Sequence, residues 1–229
     1  MSLIRAAVLD LDDTVLRDDL SISPLTLDIF RRLHTSGFVF VISSGRTLMS
    51  MKPFTDRIGC ASLCIACNGA LIWDPSTGDV LHRETFSAEV GREIARFGNE
   101  FGCYAQTYSD NRFFYNKDCS WSRFYSSASM LPGECVGNLE YFIREPRTKI
   151  LMMADEAKIG SAGRRPAVGK SHFRSSLRFT RYQDRGSPSG STCVLIMRRI
   201  KVMLSAAEAI SAIGKENQTP SRPTSFARI

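Results

Sequence analysis

The segment Asp10-Leu11-Asp12-Asp13-Thr14 sets two carboxylates, Asp10 and Asp12, one residue apart directly after the apolar run Ala6-Ala7-Val8-Leu9. That spacing can divide labour. One carboxylate attacks as a nucleophile while the other, on the same side of the chain, transfers the proton. Crowded carboxylates repel and lose hydration, so the pair calls for a neutralising cation. Mg2+ suits it, because it takes one or two carboxylates together with substrate phosphate oxygens. Taken alone, the cluster reads equally well as a capped turn, since Asp and Thr are common in both.

The elements needed to position this chemistry follow in order. Ala6 to Leu9 reads as a central strand of a parallel sheet, buried on both faces, with the acidic cluster at the carboxyl end where open α/β sheets bind ligands. A second apolar run, Phe38-Val39-Phe40-Val41-Ile42, leads into Ser43-Ser44-Gly45-Arg46. A hydroxyl and backbone N–H groups at such a strand-to-helix turn can hold a phosphoryl oxygen. Between the runs, Ser23 caps a helix, Pro24 suits its first turn, Leu25, Ile29, Phe30 and Leu33 supply its apolar face, and Gly37 stops it. A third strand, Leu63-Cys64-Ile65-Ala66, runs into Asn68-Gly69-Ala70.

The first loop resembles the Asp-x-Asp-x-Thr signature of the haloacid dehalogenase superfamily of phosphohydrolases. The resemblance implies that Asp10 is the nucleophile that forms an aspartyl-phosphate, Asp12 the general acid/base, and Thr14 the residue bracing the loop. Ser44 before Gly45-Arg46 matches the second signature, and Asn68-Gly69 matches a pair that lines the site in the Cof-type branch, subfamily IIB. The implied substrate-binding set is Thr14, Ser44, Gly45, Arg46 and Asn68; the implied Mg2+ ligands are Asp10 and, through its carbonyl, Asp12. The expected fold is α/β, a Rossmann-like parallel sheet core with an inserted α+β cap domain and an irregular C-terminal part. The expected substrate is a small phosphorylated metabolite. The alternative is a catalytically impaired relative or a binding protein lacking the full metal site.

Along the chain this gives a core over 1–86, a cap over 87–160 and a basic segment over 161–229. Hairpin strands are expected at Ala70 to Trp73 and Val80 to Phe86, then a helix from Ser87 to Phe101 carrying Val90, Ile94 and Phe97. A second hairpin pairs Cys103 to Tyr108 with Arg112 to Asn116, and Lys149 to Ala154 is a further strand. The aromatics Tyr104, Tyr108, Phe113, Phe114, Tyr115, Trp121, Phe124 and Tyr125 read mainly as cap core. Basic and aromatic residues there are interleaved with acids, which argues against a nucleic-acid stripe.

Composition narrows the rest. The 229 residues carry 43% apolar side chains and a net charge of +7, ordinary for a globular protein of this size. No apolar run approaches the roughly eighteen residues that span a membrane, and no signal pattern opens the chain, so the cytoplasm is expected. The seven cysteines read as free thiols: Cys60, Cys64 and Cys67 have no nearby His, and Cys64 lies inside an apolar strand.

Residues 1–160 hold 17 basic against 20 acidic side chains, whereas 161–229 hold 13 against 3. Gly163-Arg164-Arg165-Pro166 and Arg185 to Ser191 read as polar, flexible sequence. The superfamily's later Lys and its acidic Gly-Asp loop are not recognisable there, with Lys170 the nearest candidate by chain order. Residues 160 to 199 have the composition of a stretch read out of frame. Without the later carboxylates, Mg2+ is expected to bind weakly.

Overall fold

The computed structural model describes residues 6–109, 111–154, 177–182 and 192–197, and its chain divides into two units. The first comprises Met1–Gly45, Met51–His82 and Ile200–Ile229; the second comprises Arg46–Ser50 and Arg83–Arg199.

Within the first unit, a five-stranded sheet runs in the order β1-β2-β3-β4-β5, formed by Ala6–Asp10, Val39–Ser43, Leu63–Ala66, Leu71–Trp73 and Val80–Arg83. β1, β2 and β3 are parallel, and β4 returns antiparallel to β3. Helix α1, Pro24–Thr35, links β1 to β2. It starts where Ser23 Oγ accepts the Thr26 N–H at 2.9 Å, a cap worth about 1 kcal/mol. It ends where Gly37, at φ +80°, lets the Gly37 and Phe38 amides return to the His34 and Leu33 carbonyls. Helix α2, Leu48–Ile58, links β2 to β3. Val39, Val41, Leu63, Ile65 and Ile72 form one core cluster of the sheet.

Two expectations change here. β1 is the edge strand of the described sheet, and its Val8 is 52% exposed. No described strand pairs with its other side, so the apolar run reports a strand but not burial. α1 also turns a different face inward. Leu27 and Phe30 are buried, with the Phe30 ring edge-on to Phe40 at 4.8 Å, whereas Leu25, Ile29 and Leu33 are exposed. The 25/29/33 row is spaced by four and forms its own ridge, so burying the Leu27/Phe30 side turns that ridge outward.

The second unit is α+β. Its four-stranded sheet has the order β8-β7-β6-β9, made by Gly133–Cys135, Phe113–Tyr115, Tyr104–Tyr108 and Ile150–Met153. Helices α3 (Ala88–Glu100), α4 (Ser120–Ser129) and α5 (Leu139–Phe142) accompany it. Strand alternation sorts the side chains onto two faces. Ala105, Ile150 and Met152 join Ile94, Ala95, Leu139 and Ile143 of α3 and its surroundings, while Tyr104, Tyr108, Leu151 and Met153 join Phe113 and Leu131, with Trp121 and Tyr125 against them. The aromatic side carries a buried polar chain. Tyr104 donates to Gln106, Gln106 to Tyr108, and Tyr108 to Tyr125 at 2.6, 2.5 and 2.6 Å. α4 and β8 have no counterpart in the sequence reading.

β10 (Leu177–Tyr182) and β11 (Thr192–Met197) pair antiparallel, with β11 next to β9. Asp110, Gly163 to Pro166, Lys170, Arg185 to Ser191 and most of the stretch read as out of frame lie outside the described residues. No helix among the described residues is long and apolar enough to cross a membrane.

Gly133 of β8 stands opposite Phe113 of β7 in parallel register. A Cβ on Gly133 would overlap the Phe113 ring, with Cε1 and Cε2 at 2.8 Å and Cζ closer still. Gly133→Ala is therefore expected to destabilise the second unit by about 1–3 kcal/mol, the usual cost of overpacking. Urea unfolding followed by tyrosine and tryptophan fluorescence checks this; an unchanged midpoint contradicts it.

Candidate active site

Register brings the candidate groups to one end of the first unit's sheet. Asp10 is abreast of Ser43, and Ser43 of Ile65, across β1, β2 and β3. Ser44 follows β2 immediately, and its N–H donates to the Ile65 carbonyl at 2.9 Å. The Asn68 N–H donates in turn to the Ser44 carbonyl at 3.2 Å. Two backbone bonds thus fasten the β2 exit to the β3 exit.

The acidic loop turns tightly at Leu11–Val15. Asp13 takes a left-handed conformation at φ 56°, ψ 8°, which Asp tolerates better than most side chains. The Leu16 N–H closes the turn on the Leu11 carbonyl at 2.8 Å, and buried Leu11 and Val15 anchor it. Asp12 thereby faces the second loop, where the Ser44 hydroxyl donates to Asp12 Oδ2 at 3.3 Å. Ser44 is buried, whereas Asp10 is exposed. The Asp10 carboxyl is nevertheless held above the ordinary carboxylate range, chiefly by partial burial, with the negative charges of Asp12 and Asp13 adding to it against the Leu11 N–H.

Asn68 closes the group. Cys67, Asn68 and Gly69 all have positive φ, at 52°, 57° and 102°, a run that costs conformational energy in non-glycine residues. The Asn68 side chain sits so close to Gly45 that a Cβ there would meet its Oδ1 at 3.1 Å, while its Nδ2 is buried without a hydrogen-bond partner among the described residues. A buried amide donor without an acceptor costs about 1–3 kcal/mol, and a ligand oxygen would relieve it.

Asp10, Asp12, Ser44, Gly45 and Asn68 are therefore gathered in the first unit. Thr14 lies in the same turn with its side chain exposed. Arg46 belongs with the second unit, where its guanidinium donates to the Ala128 carbonyl at 2.9 Å and to Ser50 Oγ at 3.1 Å. Sequence reading missed Ser50; its only signal is the Thr47-x-x-Ser50 spacing, realised as a Thr47 Oγ1 cap on the Ser50 N–H at 3.4 Å.

The oxygen donors and concentrated negative charge at Asp10, Asp12 and Asp13 fit a hard divalent cation. Asp10 can offer its carboxylate and Asp12 its carbonyl. Among the described residues no three His, Cys, Asp or Glu side chains converge as a metal site, so these supply part of a coordination shell.

Two carboxylates and a serine at one end of a mixed sheet, followed by an α+β unit, define a class. The pattern of haloacid dehalogenase-like hydrolases matches residues 7–167. The chain belongs to that family, in its Cof-type branch.

Solved structures share the fold. A haloacid dehalogenase-like hydrolase from Bacteroides thetaiotaomicron aligns with TM-score 0.75 at 18% identity, covering 93% of this chain and 78% of that one. A subclass IIB sugar phosphatase aligns with TM-score 0.68 at 14% identity, covering 92% and 76%. Among curated relatives, the pyridoxal phosphate phosphatase of Escherichia coli is 24% identical over 111 residues, 48% of this chain and 41% of its own. The 5-amino-6-(5-phospho-D-ribitylamino)uracil phosphatase of Bacillus subtilis is 35% identical over 71 residues, 31% and 28%. The HMP-PP phosphatase of Cronobacter sakazakii is 30% identical over 90 residues, 39% and 33%. The chain thus spans less than half the length of these curated relatives.

The strand that presents Asn68 also carries Cys64, fully buried, whose thiol is pushed up to about 12 by burial and by the charges of Asp74 and Asp56. Cys135 is exposed. Native protein treated with iodoacetamide at pH 8 is expected to label Cys135 and leave Cys64 unmodified until denaturant is added, as peptide mass spectrometry reads directly. The raised thiol also sets an alkaline limit. The folded state keeps the proton that the unfolded state loses above its ordinary value near 9, so this contribution is intact below pH 9 and is lost as pH rises towards 12.

Proposed function

We propose that the chain is a Mg2+-dependent phosphatase of small phosphorylated metabolites that works through an aspartyl-phosphate on Asp10. The observation that carries this reading is the convergence of Asp10, Asp12 and Ser44 with the unpartnered Asn68 amide at one end of a parallel sheet. The curated relatives support the substrate class, since the three above are named as phosphatases of pyridoxal phosphate, 5-amino-6-(5-phospho-D-ribitylamino)uracil and HMP-PP.

Asp10 attacks phosphorus in line, forming an Oδ–P bond as the ester P–O bond breaks. Asp12 gives its proton to the leaving oxygen. It then takes one from the water that attacks phosphorus, returning Asp10 to its free carboxylate and releasing orthophosphate. The Asn68 Nδ2–H and the Ser44 hydroxyl are the donors for the phosphoryl oxygens; the single Ser44 proton, which Asp12 accepts in the free protein, turns to the phosphoryl group when substrate binds. Bound Mg2+ would be held by the Asp10 carboxylate and the Asp12 carbonyl and would neutralise phosphoryl and carboxylate charge. We read 1–86 as the N-terminal part of the core and 87–160 as the cap domain.

A second reading has one observation in its favour. With no convergent trio of ligating side chains among the described residues, the pocket could bind phosphorylated ligands without turning them over. Hydrolysis of an aryl phosphate decides between the two. The phosphatase gives Mg2+-dependent turnover that EDTA removes; Asp10→Asn lowers kcat by about 10⁴-fold or more, and Asp12→Asn by about 10²–10⁴-fold. Turnover no higher than that of Asp10→Asn, together with saturable binding of inorganic phosphate by calorimetry, supports the binding protein instead.

A further inference from the structure

Arg46 follows Ser44 by two residues, yet its guanidinium reaches Ser50 of α2 and Ala128 at the end of α4. That helix begins with Ser122 Oγ accepting the Cys119 N–H at 3.0 Å and stops at Met130, which turns left-handed at φ 56° ahead of Pro132. Its last carbonyls have no partner within the helix and carry the negative end of its dipole. Two of them are served from outside. The Arg46 guanidinium donates to the Ala128 carbonyl at 2.9 Å, and the Ser50 hydroxyl to the Ser129 carbonyl at 2.7 Å. Arg46 also donates to Ser50 Oγ at 3.1 Å, so the three bonds form one connected clamp. Ser50 and Ser129 are 2% and 5% exposed, which shields the bond between them from water, while Arg46 is half-buried and its charge-assisted bond partly so.

We propose that Arg46 is a positioning residue: held by α4's terminal carbonyl and by Ser50, it fixes the backbone of the turn that carries Ser44 and Gly45. Its cation complements the helix terminus, and one terminal nitrogen, Nη1, donates both bonds, an arrangement that a lysine ammonium on its flexible stem reproduces only in part. The turn it steadies has little slack, because Gly45 lies against Asn68 and the Ser44 amide and carbonyl are both spent on β3 and its exit. What Ser44 does for a phosphoryl group rests on the function proposed above; the clamp itself does not.

The full-length chain tests this with Arg46→Ala, Arg46→Lys and Ser50→Ala, read by hydrogen exchange of a peptide spanning Ser43 to Thr47 and by aryl phosphate kinetics. Arg46→Ala is expected to speed exchange about tenfold, the ratio that losing one charge-assisted hydrogen bond gives. Ser50→Ala should act in the same direction, the double variant should not exceed Arg46→Ala, and Arg46→Lys should recover part of the protection. In kinetics kcat falls while KM stays close to the wild-type value. The proposal is overturned if exchange is unchanged, or if Arg46→Ala raises KM and weakens inhibition by inorganic phosphate while Ser50→Ala is silent, the pattern of an arginine that contacts substrate. Should Arg46→Ala fail to fold by circular dichroism, Ser50→Ala and Arg46→Lys carry the comparison. If the wild type hydrolyses nothing, the phosphatase reading fails while the exchange data still decide the clamp.

Discussion

Two backbone hydrogen bonds hold the candidate site together: Ser44 N–H to the Ile65 carbonyl and Asn68 N–H to the Ser44 carbonyl. Side chains at three strand ends can be aligned only as well as the strands are registered, and these bonds extend the β2–β3 register past the sheet into its loops. The consequence is a serine tethered at both its amide and its carbonyl, beside an asparagine in left-handed backbone. Strain of that kind survives only where its surroundings over-determine it. Here Gly45 supplies the room, the buried β3 strand supplies the rigidity, and the Asn68 amide is left facing a place where no protein acceptor stands among the described residues.

Electrostatics at this edge follow from the same geometry. Partial burial, with the charges of Asp12 and Asp13 adding to it, raises the cost of ionising Asp10, and the turn that crowds the three aspartates is held by apolar Leu11 and Val15. The protein thus spends hydrophobic burial to hold like charges near one another. The second unit uses burial differently. Its sheet separates an aliphatic side, packed on α3 and α5, from an aromatic side threaded by a chain of tyrosine and glutamine hydrogen bonds. Such a satisfied chain orders a core that aromatic bulk alone would leave less specific.

Much of this was legible in the residues, for identifiable reasons. Apolar runs ending in polar turns located β1, β2 and β3 because strand length and apolarity are local properties. The Ser23 cap and the Gly37 stop followed from chemistry within a few residues. Other features depended on partners distant in sequence. The inward face of α1 was decided by Phe40, and the exposure of β1 by its place in the strand order. Helix α4 was hidden because Ser120-Trp121-Ser122-Arg123-Phe124-Tyr125-Ser126-Ser127 has weak helix propensity and no clean apolar stripe. Its C-terminal carbonyls are satisfied by residues some eighty positions away. The acidic loop's motif was plain, but the left-handed Asp13 and the Ser44–Asp12 bond were not, since both are tertiary outcomes.

The division of the chain has a consequence for its history and handling. Arg46–Ser50 belongs with the second unit although its neighbours on both sides belong to the first. A fragment cut at Arg83 would carry α4 without the residues that serve its last carbonyls, and a first unit closed by joining Gly45 to Met51 would lose the start of α2. Neither unit is a transferable module. A second unit exchanged between relatives would have to bring a compatible Arg46–Ser50 segment with it, although the two stretches lie far apart in sequence.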